Sequence, residues 1–435
     1  MFQRPRGTRD FGPAEMARRT ALERLCDEQA ARHGFLRVAT PTFESLDLFT
    51  AKSGDAVVGE LYAFEDKGGR PLTLRPELTA PVMRMVANEM RSVPKPMRLA
   101  YYGSCFRYEE FKTARYREFW QYGCEIVGAS GPLVEAEVVA FAISLMRAAD
   151  VSDWSMKIGH VGILNDLLAG LEIPEDNRRD VMRLLDKGDF AGLGAKVSSD
   201  AAAKLEAFAS LSGGSDVIPA ARTMLEEMGV ATESLDSLGE MMCSLEGLVP
   251  NMPATSIDLT VARGLDYYTG MVFEFEVAEL GGESQVLGGG SYRLMHLFDL
   301  DELDPCCGFG LGFDRILIAL EKQAERLGRN EVVPGESAGP GSLAVIPFKI
   351  DASHVLGLVG ELRTSGERVL LELRQRNLGR SMGWADSAGA AFALIVGPRD
   401  LEAGEATVKR MSDGQEAQCK LNAGAIAEAL ASLRA

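Results

Sequence analysis

The stretch FRYEEFKTARYREFWQYGCE, residues 106–125, sets Arg107, Glu109, Arg115, Arg117, Gln121 and Glu125 between two apolar runs. The flanks AYYGSCFRYE and REFWQYGCEIVG alternate like two strands, with FKTA as the loop between them. In an antiparallel hairpin every second side chain shares a face, so both arms present their charges to one ligand. Guanidinium forks bind phosphate oxygens bidentately, and a ring such as Phe119 can stack on a base, which suits a nucleotide. A solvated, salt-bridged hairpin is the plainer account of the same charges.

Four other segments carry groups of the same kind. TLRPELTAP (73–81) places Glu77 and Thr79 behind Arg75 at the end of an apolar strand. A carboxylate and a hydroxyl there could hold an ammonium group, or cap a helix over 80–91. VARGLDYYTG (261–270) sets Arg263 beside a glycine, followed by Asp266, Tyr267 and Tyr268. Such an arginine can approach a phosphoryl group closely, and the tyrosines can wall an aromatic or imidazole pocket. GGGSY (288–292) reads as a glycine-rich connection between strands, either a close approach to a ligand or a plain turn. GFGLGFDR (308–315) puts Gly310 and Gly312 on a strand and Arg315 at a helix start, where a cation can face a phosphate or a nucleobase.

The elements that must position these groups fall into blocks. A helix is expected over 13–33, with Pro13 in its first turn and Gly34 as its stop. FLRVATPTFE follows as a strand interrupted by Pro41, which suits an edge or an interface. Residues 159–250 carry Leu, Met and Ala at helical spacing, broken by glycines near 188–194 and 212–214, and read as a helical insertion. FEFEV (273–277) alternates apolar and acidic side chains, as a half-buried strand does. RNEVVPGESAGPG (329–341) reads as a linker. Beyond it, LAVIPF, a helix on Val355, Leu358, Val359 and Leu362, the strands VLLEL and AFALIV, and a last helix on Ile426, Leu430 and Leu433 predict a small α/β domain over 342–435.

Composition bounds the function class. The 435 residues suffice for two or three domains, and 46% hydrophobic with 25% charged residues is ordinary for a globular protein. No apolar run approaches the roughly 18 residues of a membrane span, and MFQRPRGTRDFGP lacks a signal-peptide core. Seven cysteines without a CxxC pair predict reduced thiols and a cytoplasmic setting; four scattered histidines predict no metal site. The net charge of −17 is uneven: +1 over 1–158 (22 basic, 21 acidic), −9 over each of 159–250 and 251–341, and zero over 342–435. The acidity sits mid-chain, so an RNA partner held by the two ends remains compatible with it.

The motifs together resemble the class II aminoacyl-tRNA synthetases, and the histidyl-tRNA synthetase family in particular, from RPRGTRDFGP to the last helix. The first helix with TPTFE resembles motif 1, the dimer element; FRYE with its loop and return strand resembles motif 2; GFGLGFDR resembles motif 3. RGLDYY (263–268) is the histidine-specific signature, supported by LRPExT and the GGGSY loop. The resemblance implies an antiparallel-sheet catalytic domain over 1–328 with the insertion inside it, and an anticodon-binding domain over 342–435. It implies a homodimer that uses L-histidine, ATP with Mg²⁺, and tRNA(His). Residue by residue, it implies that Glu77 and Thr79 take the α-amino group, that Gln121 and Glu125 share that pocket, and that Tyr267 and Tyr268 line the imidazole. Arg107 would contact the α-phosphate and the substrate carboxylate, with Arg263 opposite. Glu109 and Phe119 would hold the adenine, Arg115 the outer phosphates and Arg315 the γ-phosphate. Departures are Leu78 where relatives read LRPEGT, Ser291 and Arg293 where they read GGRYDG, and Trp120 where they read FHQ; GGGSYR resembles the archaeal branch. The histidine-sensing regulatory subunit of ATP phosphoribosyltransferase is the alternative, but such paralogues usually lack the C-terminal domain and parts of the charged site. Replacing Arg263 with Ala is expected to lower adenylation by roughly 10²–10³, the scale for losing one preorganised charge-stabilising donor. Near-normal ATP–pyrophosphate exchange by a folded Arg263→Ala chain would remove Arg263 from the mechanism.

Overall fold

The computed structural model describes residues 2–434 apart from 109–115, 261–267, 337–341 and 375, with the backbone alone at 53, 55 and 56. The chain divides into two compact units, Met1–Glu336 and Ser337–Ala435. Among the described residues no helix is long and apolar enough to cross a membrane.

A nine-stranded sheet organises the first unit. Its order is Leu36–Val38, Met97–Phe106, Glu118–Val127, Cys306–Gly312, Gln285–Tyr292, Tyr268–Val277, Trp154–His160, Thr255–Asp258 and Ser212–Gly213. From Met97–Phe106 to Trp154–His160 each neighbour pairs antiparallel; parallel pairs flank that centre on both sides. The charged hairpin forms as its alternation predicts, in register from Met97↔Val127 to Phe106↔Glu118.

Strand periodicity then decides which side chains meet a ligand. Tyr122, Cys124 and Ile126 enter a core with Leu22 of the helix Pro13–Arg32 and Phe141 of the helix Pro132–Ala148. On the opposite face Tyr101, Val127 and Tyr292 join Leu78 and Met83, the latter on the helix Thr79–Glu89. Gln121 and Glu125 fall on this second face by the same period.

Two sequence readings are corrected here. GGGSY lies inside the strand Gln285–Tyr292 rather than between strands. Gly123, Gly310 and Gly288 stand directly opposite one another on three adjacent strands; the Tyr101 ring fills the space over Gly123, while Gly288 and Gly310 line the cleft. The period-two pattern of FEFEV does give a strand, but Glu274 is buried instead of facing solvent, because a cleft covers that face. Glu276 is partly exposed and pairs with Lys157 at 2.9 Å.

Between Trp154–His160 and Thr255–Asp258 the chain is mostly helical, and Leu164, Leu185, Leu225 and Leu238 extend the sheet's own core into this region. Residues 329–336 stay with the first unit, where Val333 is fully buried and Glu336 accepts from the backbone of Val332. The second unit is a five-stranded sheet in the order Val369–Leu371, Leu343–Pro347, Phe392–Val396, Glu405–Arg410, Glu416–Lys420. Its first three strands are parallel and its last two antiparallel. The helices Ser353–Thr364 and Ala423–Arg434 seal one core through Val355, Val359, Ile426 and Leu430.

Candidate active site

Glu125 is buried on the second face of the sheet, 1% exposed, behind Tyr101, which lines a cleft there. Tyr101 donates its hydroxyl to one carboxylate oxygen at 2.8 Å, and Tyr292 donates to the other at 2.6 Å. Thr79 Oγ1 stands 3.3 Å from the Tyr101 hydroxyl. Beside the carboxylate, Gly308 leaves the room it needs: a Cβ there would sit 1.9 Å from Glu125 Oε2. Burial pushes the Glu125 carboxyl up to about 7, and hydrogen bonds from Tyr292, Thr79 and Tyr101 pull against that rise. Burial also raises Tyr101 well above the ordinary phenol range, so it remains a donor at neutral pH.

A cavity of about 370 Å³ opens above, lined by Lys52, Glu77, Thr79, Tyr101, Arg107, Gln121, Tyr268 and Glu274 among others. Glu77 accepts from the backbone of Thr79 at 2.6 Å and of Ala80 at 3.2 Å, so it caps the helix Thr79–Glu89. It also stands 3.3 Å from Lys52 Nζ. The helix cap, one of the two alternatives in the sequence, is therefore present, and the ammonium beside Glu77 is that of Lys52. Arg107 donates Nε to the Pro76 carbonyl at 3.1 Å, and its guanidinium lies 5.3 Å from the centre of the Phe119 ring. Its backbone is held by the last rung of the hairpin, to the Arg117 carbonyl at 3.0 Å.

A second lobe of about 270 Å³ adjoins the first and shares Arg107, Gln121, Gln285, Gly288 and Gly310 with it. Phe119, Tyr116 and Trp120 supply its rings; Asp314 and Arg315 supply its charges. Arg315 leaves the start of the helix Phe313–Leu327, pairs with Glu283 at 2.7 Å and donates to the Gln285 carbonyl at 2.7 Å. One lobe thus offers the carboxylates of Glu77 and Glu274 with the hydroxyls of Thr79, Tyr101 and Tyr268, the other aromatic faces with guanidinium. A small zwitterion and a nucleotide phosphate could meet where the lobes join, at Arg107.

Glu77, Thr79, Arg107, Gln121, Glu125, Phe119, Tyr268 and Arg315 are thus gathered around one cleft. Glu109, Arg115, Arg263 and Tyr267 lie outside the described residues. Reasoning from sequence gave no role to Tyr101, Tyr292, Lys52, Glu274, Gln285 or Asp314. Tyr292 sat in GGGSY and Asp314 in GFGLGFDR, yet their partners come from strands far away in sequence. Among the described residues no group of three or more His, Cys, Asp or Glu is placed to hold a metal.

Glu125 has a measurable consequence. Its native pKa, about 7, lies above its ordinary value of 4.5, so the folded chain holds an extra proton between those limits. Its contribution to stability is complete below pH 4.5 and is lost as pH rises through about 7. Glu125→Gln removes that titration, so urea unfolding at the two ends of this window should differ by a few kcal/mol less than in the parent chain. An unchanged pH dependence would contradict the buried, titrating carboxyl.

Comparison with known proteins gives the cleft a family. A family model described as Histidyl-tRNA synthetase matches residues 7–316, and one described as Anticodon binding domain matches residues 342–433. A histidine–tRNA ligase from Archaeoglobus fulgidus is 41% identical over 420 residues, covering 95% of this chain and 96% of that protein. The apo histidyl-tRNA synthetase of S. aureus superposes with a TM-score of 0.73 at 29% identity, over 97% of this chain and 98% of that one. The histidyl-tRNA synthetase of a Nostoc species shares the fold, with a TM-score of 0.81 over 100% of this chain and 99% of that one at 21% identity. With both models matching in order and the archaeal relative similar along nearly its whole length, the chain belongs to the histidyl-tRNA synthetase family of class II aminoacyl-tRNA synthetases.

Proposed function

We propose that this chain is a histidine–tRNA ligase: it activates L-histidine on ATP to histidyl-adenylate, releases pyrophosphate, and transfers histidine to the 3′ end of tRNA(His). The observation that carries this reading is Glu125, a buried carboxyl held behind Tyr101 in the wall of a cleft that Arg107 also lines. An imidazole ring carries two nitrogens that need partners, and this wall supplies the Tyr101 hydroxyl backed by the Glu125 carboxyl. A site that hydrogen-bonds both ring nitrogens leaves its own polar groups unpaired with any apolar competitor.

Roles then follow from place. Glu77 and Thr79 take the α-amino group, with Gln121 and Tyr268 around the side chain. Arg107 faces the histidine carboxylate and the α-phosphate, because it lines both lobes. Phe119 faces the adenine and Arg315 the γ-phosphate; Glu109, Arg115, Arg263 and Tyr267 join them by their places in the motifs. Adenylation is in-line attack of the carboxylate on the α-phosphorus, and charge gathers on the non-bridging oxygens. Preorganised cations stabilise that charge, so no nucleophilic side chain or general base is required for this step. Mg²⁺ accompanies the triphosphate as its counter-ion; no described cluster of side chains would cage it unaided, and its partners would be chiefly phosphate oxygens. The working unit is a homodimer built on the helix Pro13–Arg32 and its following strands.

The experiment is ATP–pyrophosphate exchange with each amino acid in turn: exchange should require histidine. Exchange driven by another amino acid, or by none, would refute the reading. Residues 342–435 would bind the tRNA, with Arg374, Arg376, Arg380 and Lys409 as phosphate contacts. All the side chains assigned to histidine or ATP precede residue 316. A dimer cut after Glu336 is therefore expected to keep exchange within about tenfold, yet to charge tRNA at least about 10²-fold more slowly as phosphate contacts are lost. Full charging by that dimer would leave the second unit without a role in tRNA recognition.

A further inference from the structure

The cleft described above is built from residues 46–316, but its nucleotide lobe is also held from the far N-terminus. Asp314, 4% exposed, is the centre of that hold. One of its oxygens accepts from Arg9 Nη2 at 2.6 Å and from Arg19 Nη1 at 2.6 Å. The other accepts from the backbone N–H of Trp120 at 2.7 Å. Three segments widely separated in sequence therefore meet on one carboxylate, and two of the residues involved, Asp314 and Trp120, line the nucleotide lobe themselves.

The rings complete the arrangement. The Arg9 guanidinium lies 3.6 Å from the centre of the Tyr116 ring and 5.0 Å from that of Phe11. Phe11 meets Trp120 edge-on at 5.1 Å, and Arg19 lies over both rings, at 4.2 and 4.5 Å. The backbone joins in as well: Arg117 N–H donates to the Gly7 carbonyl at 2.9 Å. Gly7 has a φ of +83°, and a Cβ on it would come 2.7 Å from the Arg117 side chain, so glycine is needed there twice over. Tyr116, Arg117 and Trp120 begin the return arm of the hairpin, and the Arg117 carbonyl is the acceptor that fixes Arg107.

We infer that residues 7–11 form a positioning element for the nucleotide lobe, and that Arg9 sets the return arm of the hairpin, and through it Arg107, for ATP. The inference rests on the reading of this lobe as the ATP site. Arg9 itself lines neither lobe; it acts through Asp314 and Tyr116, which do line the nucleotide lobe, and through Asp314 on Trp120. A positional role differs from a stabilising one in what it moves. Misplacement of the start of the arm weakens what binds at Phe119 and Arg107, while Glu125, further along the same strand, is held by Tyr101 and Tyr292 from other strands.

The test uses the whole chain, with calorimetric binding of ATP and of histidine measured separately, and thermal unfolding to confirm the fold. Arg9→Ala should weaken ATP binding by about tenfold or more, since a shift of about an ångström at a reacting centre is costly. Its histidine affinity should fall much less than its ATP affinity, because of the side chains assigned to histidine only Arg107 and Gln121 also line the nucleotide lobe, while Glu77, Thr79 and Tyr101 do not. Arg9→Lys keeps the charge but loses the fork and the stacked plane, so it should fall between the two. If Arg9→Ala fails to fold, Phe11→Leu, which removes only the ring against Trp120, should show the same split in weaker form. Equal loss of both ligands, or no loss of ATP affinity, overturns the inference. A parent chain that binds no ATP overturns the reading of the lobe and the inference with it, a result distinct from an ATP-binding parent whose variants bind ATP equally well.

Discussion

A carboxyl group is buried behind the wall of the cleft, and among the described residues no cation pairs with it. Glu125 is satisfied by hydroxyls alone, Tyr101 on one oxygen and Tyr292 on the other. An isolated buried carboxylate is costly, so the surroundings must either donate hydrogen bonds or let the group hold a proton. Here both happen. Much of the local architecture follows from that constraint: Tyr292 must end its strand at this point, Tyr101 must reach across the emptied position of Gly123, and Gly308 must carry no side chain.

Arg107 is the second fixed point, because it borders both lobes. Its backbone is held by Arg117 and its guanidinium by the Pro76 carbonyl and the Phe119 ring. A side chain with so many holds has little entropy left to lose when a phosphate arrives, which is how a cation becomes preorganised rather than merely present. The acidic middle of the chain does not oppose this. Most of that charge belongs to the partly solvated helical region after His160 and to the segment after Asn251, while the hairpin that faces the ligand lies in the balanced part.

Sequence reading recovered the class of fold and its main elements because they have strong periods. The helix Pro13–Arg32 and the hairpin are visible as apolar runs of the right length. Reading was weaker where the period was overridden. GGGSY carries no alternation, since glycines have no side chain to alternate, and its strand exists only because neighbours on both sides pair with it. Glu274 looked like the wet side of a strand, and no local signal says that a cleft rather than solvent covers it. Glu405–Arg410 and Glu416–Lys420 are short, polar strands that pair beside the parallel part of the second sheet and escaped notice. In the cleft, charged residues grouped in motifs were legible from spacing. Tyr101 and Tyr292 were not, because what marks them is one shared partner, reached from strands that pair only in the folded sheet.

The central claim is that Glu125 and its tyrosines bind the imidazole of histidine while Arg107 faces the reacting carboxylate. A crystal structure of the whole chain with histidine and a non-hydrolysable ATP analogue tests it most directly. The account predicts an imidazole nitrogen within hydrogen-bond distance of Glu125, the histidine carboxylate turned toward the α-phosphate beside Arg107, and the base against Phe119. Histidine bound with its ring away from Glu125, or the analogue bound outside the lobe lined by Phe119 and Arg315, would contradict it.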